Sequence, residues 1–176
     1  MDLYMKLLNE AIQEEKGIQK EEENKRLYQV QVSRHVDEGY VSDDAIRIEI
    51  HKSINKIKSR EQINTLIEEY TDRYGKLSEQ ILLYMEEKYL EYLLKINGVE
   101  AFRETDTEVM FNFDEETTSH INAQKIFELS VKLHLRYKFD YRSRKIIIKI
   151  DKNSTSKSYI YGLVKFLENL KELRNI

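Results

Sequence analysis

The chain has 176 residues, 35% of them charged and 40% hydrophobic, with a formal net charge of −3 and no cysteine. This length suits one domain, or one domain with an appended segment. The absence of cysteine excludes a disulfide framework, a thiolate metal site and a cysteine nucleophile. No apolar run approaches the roughly 20 residues needed to span a bilayer, the start lacks the basic-then-apolar pattern of a secretory signal, and the charge gives no general push toward nucleic acid, so a cytoplasmic protein with no membrane contact is expected.

Residues 2–16 carry Leu3, Leu7, Leu8, Ala11 and Ile12 on one helical side, which predicts a short amphipathic helix. Residues 13–26 are almost all Gln, Glu and Lys and read as a solvated helix extension or a linker. A lone amphipathic helix followed by a charged tether is expected of a piece of a longer chain. Residues 27–32 alternate apolar and polar, a period-two strand, and 33–39 form a polar loop. Ser42 or Asp43 can cap the next helix, whose inner seam is Ile46, Ile50, Ile54 and Ile57.

The central helix starts at a capping box, Ser59 with Gln62, and Gly75 can take the left-handed position that stops it. Ile63, Leu66, Ile67, Tyr70 and Tyr74 recur at helical spacing, and projection at about 100° per residue puts Glu61, Thr65, Glu68, Glu69 and Asp72 on the opposite side. An acidic ridge backed by an apolar stripe results. A solvated face has the same pattern, because exposed helix faces are normally charged. Ser78 caps a third helix with Ile81, Leu82, Met85, Tyr89, Tyr92, Leu93 and Ile96 inward and Gly98 past its end. Three helices joined by short connections are expected to pack as an antiparallel unit.

Beyond Gly98 the period changes. Residues 99–103 and 109–113 flank a polar turn and read as a hairpin. Residues 122–134 return to helical spacing with Ile126, Leu129, Val131 and Leu133, and 135–141 with 145–150 form a second hairpin. Ser156 can open a last helix carrying Ile160, Leu163, Val164, Phe166, Leu167 and Leu170. The expected class is α+β: a three-helix unit, then a small antiparallel sheet of two hairpins covered by helices.

Charge is uneven along this order. Residues 61–116 hold fifteen Asp and Glu against five Lys and Arg, whereas 132–152 hold eight Lys and Arg against two Asp. In the second hairpin Arg136, Lys138, Arg142, Arg144, Lys145 and Lys149 interleave with Tyr137, Phe139 and Tyr141, a mixture that single-stranded nucleic-acid binders use. A stand-alone nucleic-acid-binding module built on 135–150 is therefore one reading. Period-two alternation favours the other, an amphipathic sheet with rings inward and cations outward.

Catalytic patterns are absent. Five glycines, at 17, 39, 75, 98 and 162, make no phosphate loop, so no nucleotide cofactor is expected. His35, His51, His120 and His134 do not approach metal-ligand spacing, and Ser154, Thr155 and Ser156 read as a loop and cap rather than a nucleophile. Clustered carboxylates would serve a hydrolase only if two shared a pocket with separated pKa values.

Tyr40-Val41-Ser42-Asp43-Asp44, Arg47-Ile48-Glu49-Ile50, and the run from Leu66-Ile67-Glu68-Glu69-Tyr70 through Thr71-Asp72-Arg73-Tyr74-Gly75 resemble the C-terminal domain of bacterial transcription-repair coupling factor (Mfd). The likeness continues through Ile96-Asn97-Gly98-Val99 and reaches back to residues 3–11, similar to the helix that leaves the family's translocase module. It is strongest over 40–98 and weak beyond about 104. Family members carry proline before the paired aspartates and after the Tyr-Gly turn, and this chain has no proline.

The resemblance implies that 1–26 lead out of a translocase module and that 27–176 form a non-catalytic regulatory domain. It implies a parent that is an ATP-dependent DNA translocase, removes stalled RNA polymerase and recruits UvrA. It also implies that this domain folds back on the parent's N-terminal UvrB-like module, masks its UvrA-binding surface and restrains the motor. Glu69 and Asp72 match the family's acidic residues at that contact, with Glu61, Thr65 and Glu68 beside them. No direct contact with nucleic acid is implied for the domain.

Overall fold

The computed structural model describes Val36 and residues 39–170. The expected helix at 2–16, the tether to residue 26 and the strand at 27–32 lie outside the described residues. Within them, three side chains start three helices by accepting the backbone N–H groups that a helix leaves without partners. Asp43 accepts from Ala45 N at 2.9 Å and opens α1 (Asp44–Asn55). Ser59 accepts from Gln62 N and opens α2 (Arg60–Tyr74). Ser78 accepts from Ile81 N and opens α3 (Glu79–Ile96). At Ser59 the box closes one residue early, because Gln62 Oε1 accepts from Lys58 N at 2.6 Å rather than from the cap's own amide.

Helix α3 is the centre of the molecule. Ile81, Met85, Leu90 and Leu94 are fully buried, Tyr84, Tyr89 and Leu93 nearly so, and even Glu86 and Glu87 are withdrawn from solvent. Burial on almost every side exceeds the single inward face of the sequence pattern. The reason is position: α1, α2 and the last helix all pack against α3. Gly98 ends it at φ 72°, where a Cβ would overlap Thr117 Oγ1, so only glycine fits the turn.

Two hairpins follow, β1 (Val99–Glu104) with β2 (Glu108–Phe113), and β3 (Tyr137–Arg142) with β4 (Lys145–Asp151). All pairs are antiparallel and the strand order is β1-β2-β4-β3, so the hairpins join through β2 and β4. Their apolar alternation turns Val109, Phe111 and Phe113 of β2 and Ile146, Ile148 and Ile150 of β4 onto one buried face. Helix α4 (Glu115–His120), α5 (Ala123–Lys132) and α6 (Tyr159–Asn169) cover that face together with α3. The Phe166 ring meets Tyr137 edge-on at 5.4 Å. This is the expected α+β architecture.

Several local expectations change. The six-residue α4, capped by Asp114, has no apolar periodicity to announce it. Val131 is exposed rather than inward, because α5 seats Ile126 and Leu129 and ends before its last turn can bury a further residue. Ser158, not Ser156, caps α6, since a 3₁₀ turn at Lys152–Ser154 takes up the preceding residues. Ser143 and Arg144 both have positive φ, the mirror-image turn that matches strand twist in a two-residue hairpin.

Candidate interdomain interface

Helix α2 lies in the outer layer and is held at both ends. At its start, the Arg60 guanidinium forks onto both carboxylate oxygens of Glu86 on α3, with Nη2–Oε2 at 2.9 Å, and reaches Glu168 on α6 at 3.5 Å. It also lies over the Tyr89 ring, 5.2 Å from the centroid, while Tyr89 Oη donates to Glu168 at 3.2 Å. The Glu86 hydrogen bonds hold the guanidinium firmly protonated, and burial raises the Tyr89 hydroxyl to about 12. At the other end, the Tyr40 hydroxyl bridges the carbonyls of Tyr70 and Gly75 at 3.1 and 2.9 Å, and its ring meets Tyr74 edge-on. Gly75, at φ 90°, ends the helix there.

Between these ties the expected ridge is present. Glu61, Thr65, Glu68 and Asp72 are exposed, and Glu69 is half-buried with 41% of its side chain accessible. Glu61, Glu68 and Asp72 have no ion-pair partner among the described residues, whereas Glu69 faces Arg73 one turn on at 3.4 Å. Thr65 turns its hydroxyl back to the Glu61 carbonyl at 2.9 Å. Beneath the ridge Ile63 and Tyr70 are buried, while Leu66, Ile67 and Tyr74 are only half-buried. The reason is that open grooves flank the helix. One of about 360 Å³ lies against α1, lined by Ser53, Lys56, Ile57 and Leu66. Another of about 720 Å³ lies against α3, lined by Ile63, Ile67, Leu82, Leu83 and Tyr161.

Arg60 was not singled out by the sequence pattern, and Tyr40 was noted only as the first residue of the Tyr40–Asp44 stretch. Arg60 carried one signal: a cation at the first position of a helix opposes the macrodipole, which favours anions there, and so demands a partner elsewhere.

The second hairpin resolves into two faces. Tyr137 is buried, Phe139 is half-buried against Phe127, and Tyr141 is 63% exposed, all on the helix side. Lys138 and Arg142 lie on the opposite face, with Arg136 exposed ahead of the strand. Arg142 already pairs with Asp140 at 3.2 Å and Lys145 with Glu100 at 2.6 Å, while Arg144 occupies the turn. Rings and cations therefore do not share a surface, and the stacking platform of the nucleic-acid reading is not assembled. Among the described residues no group of three or more His, Cys, Asp and Glu is arranged to hold a metal, and no helix is long and apolar enough to cross a membrane.

Comparison with known proteins gives a consistent result. The family model described as TRCF domain matches residues 30–124. A transcription-repair-coupling factor of Bacillus subtilis (strain 168) is 25% identical over 175 residues, covering 98% of this chain and 15% of that protein. One of Staphylococcus haemolyticus is 21% identical over 169 residues, covering 95% of this chain and 14% of that protein. The chain thus spans about a seventh of the length of these relatives. A crystal structure of the C-terminal domain of transcription-repair coupling factor superposes with a TM-score of 0.71 at 24% identity, covering 82% of this chain and 91% of that one.

Proposed function

The chain belongs to the TRCF domain family, and from that premise we propose that it is a non-catalytic regulatory module of a cytoplasmic transcription-repair coupling translocase. Its α2 ridge clamps the parent's N-terminal UvrB-like module and masks the surface that recruits UvrA. The observation that carries this reading is a set of exposed carboxylates, Glu61, Glu68 and Asp72, unpaired among the described residues, on a helix tied at both ends. Glu69 joins them by exchanging Arg73 for a partner cation.

A ridge of this kind suits a releasable contact. Arginine guanidinium matches carboxylate bidentately, and close desolvated pairs across an interface couple by about 1.5–7 kcal/mol, whereas rim pairs give much less. If only a fraction of parent molecules is open, apparent UvrA affinity falls by that fraction. Mutating Glu69→Lys with Asp72→Lys tests the reading. The variant is expected to keep its circular dichroism, to lose binding to the isolated N-terminal module, and to raise UvrA binding and ATP turnover in the full-length parent. A folded variant matching the parent in all three sinks the proposal.

A further inference from the structure

Among the described residues one face of the sheet carries the buried side chains and the helices that cover them, so the side chains of the other face lie outside the core. Strand register fixes what that face carries. Arg103 on β1 pairs with Met110 on β2, Met110 with Lys149 on β4, and Lys149 with Lys138 on β3. These four side chains therefore cross the sheet in one line, about 14 Å long at roughly 4.8 Å per strand. Arg136 lies beside this line, two residues before Lys138, and joins Lys138 and Lys149 on the lining of an open cleft of about 350 Å³.

Among the described residues Arg103, Arg136, Lys138 and Lys149 have no ion-pair partner, in contrast to Arg142, Lys145 and Lys152, which have Asp140, Glu100 and Glu104. Two carboxylates, Glu108 and Asp151, face each other across the middle strands, two residues from Met110 and Lys149, and line the same cleft, so the four unpaired cations of this face outnumber them two to one. No aromatic side chain lies on this face, since Tyr137, Phe139 and Tyr141 all point to the other.

We propose that the open sheet face docks on the phosphate backbone of duplex nucleic acid, through Arg103, Arg136, Lys138 and Lys149. Charge complementarity selects a polyanion. The straight spacing on a rigid sheet suits a regularly repeating anion better than the irregular carboxylates of a protein surface. Lack of rings rules out the base stacking on which single-strand binders depend, which leaves backbone contact without sequence preference. The proposal is independent of the α2 contact, because the sheet face and the ridge lie on different layers with α3 between them.

The test is fluorescence anisotropy of a labelled random-sequence duplex of about 20 base pairs, titrated with this chain. With three to four phosphate contacts, log K is expected to fall by about 3 per decade of salt, so binding weakens about 60-fold between 50 and 200 mM. Arg103→Glu with Lys138→Glu, both exposed and at opposite ends of the line, is expected to abolish binding; Arg144→Glu, at the turn, is expected to leave it within about twofold. Should the double charge reversal lose its circular dichroism, Arg103→Gln with Lys138→Gln reads the same loss. No saturable change at 50 mM salt overturns the proposal, and so does an equal loss from Arg144→Glu. Tighter binding of an oligothymidine strand overturns it in favour of a single-strand site, and equally tight binding of polyglutamate in favour of an acidic protein.

Discussion

Replacing Arg60 by methionine separates the anchoring of α2 from the ridge that it carries. The substitution keeps most of the aliphatic stem and removes the charge that Glu86 was buried against. With only 11% of the Glu86 side chain accessible, the carboxylate cannot recover its hydration in place. Breaking a buried pair from one side costs about 3–5 kcal/mol, and loss of the contact with the Tyr89 ring adds about 0.5–1. Arg60 itself is one-third exposed, and Glu168 keeps its hydrogen bond from Tyr89, so water and a remaining donor offset part of that. A net loss of about 2–3 kcal/mol is expected. Urea unfolding followed by tyrosine fluorescence measures it. The double variant Arg60→Met with Glu86→Leu is expected to return to within about 1 kcal/mol of the parent, because an apolar pair of similar volume replaces the ion pair with little penalty. In the single variant, affinity for the N-terminal module falls although Glu61, Glu69 and Asp72 are untouched, because the start of α2 is released. A single variant within about 0.5 kcal/mol of the parent, or a double variant no better than the single, refutes the idea that this network positions the ridge.

Ile63→Ala, at a fully buried site, is expected to cost about 2–5 kcal/mol, whereas Leu66→Ala, beside an open groove, costs about 1–2, both read from urea midpoints. Gly98→Ala forces a side chain into a left-handed conformation and onto Thr117, so a loss above about 2 kcal/mol is expected, and a neutral result contradicts the packing of α4 against that turn. Lys145 holds the Glu100 carboxyl below the usual carboxylate range, so its contribution is present above the unfolded pKa and is lost as pH falls through the lowered folded value. The stability difference between the parent and Glu100→Gln is therefore expected to narrow with acidification, and a constant difference from pH 6 down to 3 contradicts it.

Local chemistry carried the sequence reading a long way. Ser59, Ser78 and Gly98 delimit helices through their own side chains or their lack of one, and period alone separates α2 and α3 from the hairpins. The ridge was legible for the same reason: Glu61, Glu68 and Asp72 are set on one side by helical geometry whatever the helix packs against. Tertiary structure decided what depends on neighbours distant in sequence. It buried Glu86 and Glu87 because α6 covers a side of α3 that periodicity would leave to water, and it exposed Val131 and Tyr141 because no helix reaches them. Pairing of β2 with β4 aligned Arg103 with Lys138, 35 positions away, although no local pattern links the two. Arg60 found Glu86 and Glu168 across two other helices. Helix and strand periods act within a few residues and can be read from the chain, whereas burial and charge pairing are sums over whatever the fold brings close, and those belong to the folded molecule.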